Sequence, residues 1–212
     1  MKNLLNILTL LVILLVSSCQ ELLEPEPIDL LSDVVALNEA ADVESARIGM
    51  YAALRSIASP KVIAGDFTAD MLIHNGTFTQ YREISNKQIT ASNASVNTLW
   101  GAIYGTIYVT NSVLEKLPEI QDLRSERREL VTAEAQFIRG YALFVAYTTF
   151  GKAPIPTTSD ITVNRSIPRS PVSEVVDQVL DDFEASIDGL PSEGLDPGFL
   201  TCLLYTSDAA DD

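Results

Sequence analysis

The 212-residue chain holds one histidine, His74, and two cysteines, Cys19 and Cys202. A single imidazole excludes motifs built on a histidine pair, such as H-E-x-x-H. Two thiols make neither a disulfide framework nor a four-thiolate zinc site. His74 sits in the turn-forming run Leu72-Ile73-His74-Asn75-Gly76, with no motif-level Ser or Asp partner, and reads as an exposed loop histidine rather than a general base. The chain has no G-x-S-x-G, no phosphate-cradling glycine loop and no dinucleotide fingerprint. Glycoside hydrolysis would need a raised-pKa acid facing a second carboxyl across a cleft. The acid pairs close in sequence are Asp66/Asp70, Asp181/Asp182 and Glu119/Asp122. Asp66 and Asp70 are one helical turn apart, but a polar loop pair is the simpler reading. Asp181 and Asp182 are expected on the solvated face of a helix. No cofactor and no metal site is expected.

Binding chemistry is better represented. The segment 59–94 carries Asp70, His74, Asn75, Phe78 and Tyr81, a mixture of aromatic, amide and carboxylate groups. Aromatic rings stack on the apolar faces of sugars, and amides and carboxylates meet hydroxyls. Trp100, Tyr104 and Tyr108 form a second aromatic set at regular helical spacing, which reads as helix–helix packing before sugar stacking. Glu134 and Arg139 lie in the most apolar helical stretch. They are five residues apart and so do not stack on each other. An unpaired buried charge costs several kcal/mol, so each is expected to meet a neighbouring helix.

Four helices are predicted to position these groups. The first spans about 38–58, with Val43, Ala46, Met50, Leu54 and Ile57 in one stripe, Asn38 or Asp42 as cap and Ser59-Pro60 as terminator. The second spans about 95–117, stopped by Pro118. The third, about 125–149, carries the stripe Leu130, Phe137, Tyr141, Phe144 and Thr148 plus many alanines, should be the most buried, and ends at Gly151. The fourth begins with Ser170 as N-cap and Pro171 as first residue, and closes at Gly189 and Pro191. Between the first two lies a long loop, 59–94. A second loop, 151–169, should cross the helices as an irregular strap. Paired helices with small residues at contacts suggest helix-turn-helix repeats, although no clean 34-residue period is present.

The ends carry the address. Residues 1–18 combine Lys2, an apolar run from Leu4 to Val16 and Ser17-Ser18, a secretory signal shorter than the roughly 20 residues of a membrane span. Val16-Ser17-Ser18-Cys19 resembles the lipobox of a bacterial lipoprotein, which implies a lipidated Cys19. Acyl chains anchor because each buried methylene contributes ~0.8 kcal/mol. Residues 19–37 then read as an acidic, Pro-containing tether. Its acids also resemble the export signal that sends some lipoproteins to the outer face of the outer membrane. The net charge of −15 argues against nucleic acid as a partner.

Leu99-Trp100-x-x-x-Tyr104-x-x-Ile107-x-x-x-Asn111-x-x-Leu114, Glu134-Ala135-x-Phe137-Ile138-Arg139-x-Tyr141-Ala142, Phe150-Gly151-x-x-Pro154-Ile155, Arg169-x-Pro171-x-x-Glu174-Val175 and Leu190-Pro191 follow one another in order. Together they resemble the SusD/RagB family of surface lipoproteins. The resemblance covers about 38–191 and makes Trp100, Tyr104, Asn111, Glu134 and Arg139 structural motif residues. Carbohydrate contacts in the family come largely from loops, which implies Asp70, His74, Asn75, Phe78 and Tyr81 as the expected ligand-binding residues. It implies a mainly α fold of tetratricopeptide-like helix pairs with long irregular loops. The function it implies is non-enzymatic capture of nutrients, mostly glycans, as the lid of a SusC-like TonB-dependent transporter in the outer membrane. The alternatives are a lipid-anchored glycoside hydrolase and a helical-repeat scaffold for peptides. Complete family members are much longer, so 38–191 is expected to be an incomplete domain and 192–212 a tail foreign to it.

Overall fold

A computed structural model of the chain describes residues 37–191. The expected signal segment, Cys19, nearly all of the tether and the 192–212 tail lie outside the described residues. The helices are α1 (Val43–Thr68), α2 (Thr79–Ser85), α3 (Ala94–Lys116), α4 (Ser125–Phe150), α5 (Ile161–Asn164) and α6 (Val172–Ile187), with 3-10 turns at Ala40–Asp42 and Leu117–Glu119. No strand forms among the described residues; Ala153 and Ser170 make an isolated antiparallel bridge.

The four long helices form two stacked pairs. Met50 of α1 packs with Val113 of α3, while Ile57 packs with Leu99 and Ile103, so α1 and α3 run antiparallel. Thr106 Oγ1 donates to the Ala53 carbonyl across this pair at 2.9 Å. Arg47 meets Glu134 and Lys61 meets Tyr141, so α4 runs parallel to α1. Arg139 meets Asp182 and Ala153 meets Ser170, so α6 returns antiparallel to α4. This is the tetratricopeptide-like mainly α architecture.

Helix α4 sits at the centre, with α1, α3 and α6 all packed on it. Its buried side is made of Val131, Ala133, Ala135, Ile138, Ala142, Leu143, Val145 and Ala146. The expected aromatic stripe, Phe137, Tyr141 and Phe144, is only half-buried. Small side chains face inward because three helices must approach one axis. At Gly140 an added Cβ would lie 3.0 Å from Asp182 Cβ and 3.1 Å from the Phe183 ring, so α6 can press closest there.

Helix boundaries show how context corrects local signals. Asn93 caps α3, its Oδ1 accepting from Ser95 and Val96 N–H at 3.0 and 3.2 Å. Gly151 takes φ 75° and ends α4. The Asp42 carboxylate accepts from the Asn38 and Glu39 N–H groups and secures the entry to α1. Helix α1, however, does not stop at Pro60 but runs on to Thr68. Proline's missing N–H frees the Ser56 carbonyl, and Ser56 is exposed, so that carbonyl can turn to water. Continuing the helix buries Phe67 and packs Ala64 into the core. Ser170 is likewise not the cap of α6: its N–H donates to the Ala153 carbonyl at 3.0 Å, and Pro171 is the capping residue.

Candidate functional site

The long loop expected over 59–94 is narrower in the structure, because α1 claims its start and α2 its middle. What remains irregular, 69–78 and 86–93, is pinned at its base by Lys87. Lys87 Nζ donates to the Phe67 carbonyl at 2.5 Å, in the last turn of α1, and pairs with Asp70 at 2.7 Å. A cation at a helix C-terminus also complements the helix dipole. Asp70 and Lys87 both take left-handed backbone, φ 60° and 59°, just past the ends of α1 and α2.

On this base four rings collect. Phe67 and Tyr81 stack with centroids 5.9 Å apart and an interplanar angle of 23°. His74 meets the Tyr81 ring edge-on at 5.5 Å and lies 6.3 Å from Phe78. Phe78 meets Tyr81 at 5.7 Å and leaves 60% of its surface in solvent. His74 is therefore not a free loop histidine. Gly76 lets the loop fold back on it, since a Cβ there would come within 2.8 Å of His74 Cε1. The result is a half-buried imidazole whose Nε2 is buried and has no hydrogen-bond partner.

Of the five expected ligand-binding residues, the structure brings His74, Phe78 and Tyr81 together. Asp70 is engaged by Lys87 and Asn75 is exposed. Phe67 completes the cluster but was missed. Its signal was present: it lies ten residues after Ile57 on the buried side of α1, hidden by reading Pro60 as the end. Asp66 and Asp70 do not share a helix face, because α1 ends between them.

The motif residues do different work. Glu134, fully buried, receives Arg47 Nε and Nη2 at 2.6 Å each and Tyr51 OH at 2.8 Å, tying α4 to α1. Arg139 donates to both oxygens of Asp182 on α6, at 2.9 and 2.5 Å, and to Asn111 Oδ1 on α3 at 2.9 Å. Asn111 in turn donates to the Pro156 and Thr158 carbonyls of the strap at 2.9 and 3.2 Å. Asp182 is thus buried, contrary to the solvated placement expected for it, whereas Asp181 is exposed. The face of α6 that meets α4 runs through Val175, Val179, Asp182 and Ser186. Asp182 falls in register on that stripe, and a charge in register with a core stripe was the available signal. Arg47, between Val43 and Met50 on α1, carried the same signal.

The aromatic stripe of α3 meets both the end of α4 and the strap. Trp100 lies 4.5 Å from Tyr104 and meets Phe150 at 5.1 Å. Tyr104 OH donates to the Pro154 carbonyl at 3.1 Å, and burial pushes its phenol well above the ordinary value. Further along α3, Glu115 accepts from Ser159 N–H at 3.0 Å and from the Ser159 hydroxyl. Burial alone would raise Glu115, but the bonds from Ser159 and Thr158 outweigh it and hold the carboxyl below its usual range. Among the described residues no cluster of His, Cys, Asp or Glu could hold a metal ion, and no helix is long and apolar enough to cross a membrane.

Comparison with known proteins places this geometry. The sequence profile of a SusD-like family, described as starch-binding and associating with the outer membrane, matches residues 23–209, a wider span than the motif residues cover. SusD-like protein P38 of Formosa agariphila is 28% identical over 192 residues, 87% of this chain and 37% of its own length. Two solved structures share the fold. One is a laminarin-binding SusD-like protein (TM-score 0.71, 17% identity, 82% of this chain and 40% of that one). The other is a crystal structure with a xylogluco-oligosaccharide (TM-score 0.63, 18% identity, 80% of this chain and 34% of that one). The chain therefore spans well under half the length of the proteins it matches.

Proposed function

The chain belongs to the SusD-like family of starch-binding proteins that associate with the outer membrane, and from that premise we propose that it captures oligosaccharides at the cell surface for a SusC-like TonB-dependent transporter. The capture surface is the ring cluster of Phe67, His74, Phe78 and Tyr81. The observation that carries this reading is a solvent-facing Phe78 backed by the rings of His74 and Tyr81. A pyranose offers C–H faces that complement such a ring. The laminarin-binding relative and the xylogluco-oligosaccharide complex favour a glycan as ligand.

The role is binding, not hydrolysis. Of the acids weighed for hydrolysis, Asp70 pairs with Lys87 and the buried Asp182 is held by Arg139. Acyl chains on Cys19 would fix the protein beside its transporter on the exterior of the outer membrane. The acidic tether would give reach, and co-localisation would raise the local ligand concentration without catalysis.

A glycan array probed with the full chain, including laminari- and xylogluco-oligosaccharides, tests the ligand class. Retention of oligosaccharides without their turnover is expected. Retention of peptides alone, or cleavage of the bound glycan, would overturn the proposal. For the partner, detergent extracts of the native membrane should yield a TonB-dependent barrel together with the protein.

A further inference from the structure

A cleft of about 360 Å³ opens on the other side of the α1/α3 pair's second helix, between α3 and the strap. Trp100, Tyr104 and Tyr108 form its aromatic wall, Pro156 and α5 the opposite one, and Asn164 and Arg165 its polar end. The walls are fixed. Tyr104 is bonded to the Pro154 carbonyl, Asn111 holds the Pro156 and Thr158 carbonyls, and Asn164 Nδ2 donates to the Thr158 carbonyl at 2.8 Å. A binding surface so braced loses little conformational freedom when occupied.

One polar feature is left open. Arg165 is exposed and forms no ion pair among the described residues, in a chain whose acids outnumber its Lys and Arg by 29 to 14. A free guanidinium beside aromatic rings presents a planar fork for a carboxylate or a sulfate.

We propose that the cleft lined by Trp100, Tyr104, Tyr108, Asn164 and Arg165 is a second carbohydrate site, separate from the Phe78 platform and selective for an anionic pyranose. The sugar face lies on the rings, and the carboxylate or sulfate takes the fork of Arg165. The site goes beyond the platform reading and does not require it.

Trp100 is the only tryptophan in the chain, so its emission reports this cleft without background. The full chain is titrated with trigalacturonate, with a sulfated disaccharide and with neutral laminaritriose, following Trp100 fluorescence. A saturable change is expected with at least one anionic sugar, about tenfold tighter than with laminaritriose. Arg165→Gln, at an exposed position, should erase that preference while leaving the circular dichroism spectrum and melting temperature unchanged. Phe78→Ala should leave the Trp100 response in place even where platform binding is lost. The proposal is overturned by a silent Trp100 with both anionic sugars, by equal affinity for the neutral one, by an Arg165→Gln chain that keeps the preference, or by loss of the response in Phe78→Ala.

Discussion

The helical frame and the 69–93 platform draw on the same residue types and use them in opposite ways. In the frame, Arg47 and Arg139 are pulled into the interior and fork onto Glu134 and Asp182, and each carboxylate oxygen receives a donor. In the platform, Lys87 and Asp70 pair in solvent. Aromatic residues divide the same way: Trp100 packs on Phe150 of α4 and Tyr104 braces the strap, while Phe78 is left facing water. Desolvation separates the two. A buried charge pair is weak as a net source of stability but severe to break, because its partner is stranded. A surface pair contributes little either way. The frame therefore specifies how four helices meet, while side chains of the platform can change without unfolding the molecule.

The sharpest way to break this contrast is at Glu134. Glu134→Ala strands Arg47 in the core and should cost about 3–5 kcal/mol, read as a lower midpoint in urea unfolding. Asn111→Ala comes next. It frees the Pro156 carbonyl and one side of Arg139, leaves the Thr158 carbonyl to Asn164 alone, and should cost about 1–3 kcal/mol, with faster amide exchange confined first to the strap. Asp70→Asn removes only an exposed ion pair and should change stability by less than about 1 kcal/mol in the same unfolding assay.

Acidification should act more gently still, and locally. Glu115 is depressed in the folded protein, so its contribution is present above the ordinary glutamate range and is lost as pH falls through the lower folded value. Backbone amides around Ser159 should lose protection below about pH 4 while those of α4 keep theirs. Glu115→Gln should flatten that pH dependence.

Much of the frame was legible because helical period and punctuation agree there. The apolar positions of α3 recur at three and four, Asn93 and Lys116 bound it, and Gly151 closes α4 where a left-handed residue is needed. Legibility failed where a local signal was outweighed by burial some distance away. Pro60 reads as a terminator, yet Ala64 and Phe67 gain more from the core than the lost hydrogen bond costs. Asp182 reads as solvated because its charge was weighed before its register. The platform was legible in composition but not in arrangement. Residue type within one loop, not any periodicity, groups His74, Phe78 and Tyr81. That Phe67 stacks beneath Tyr81, and that Gly76 folds the loop onto the imidazole, depends on where α1 ends.

The central claim is the proposal that neutral oligosaccharides are captured on the Phe78 platform, which the helices hold in place. Titration calorimetry of the wild-type chain and Phe78→Ala, against the best neutral oligosaccharide from the array, tests it most directly. The account predicts affinity at least about tenfold weaker in Phe78→Ala, with a melting temperature within about 2 °C of wild type. Undiminished affinity in a folded Phe78→Ala chain would contradict it.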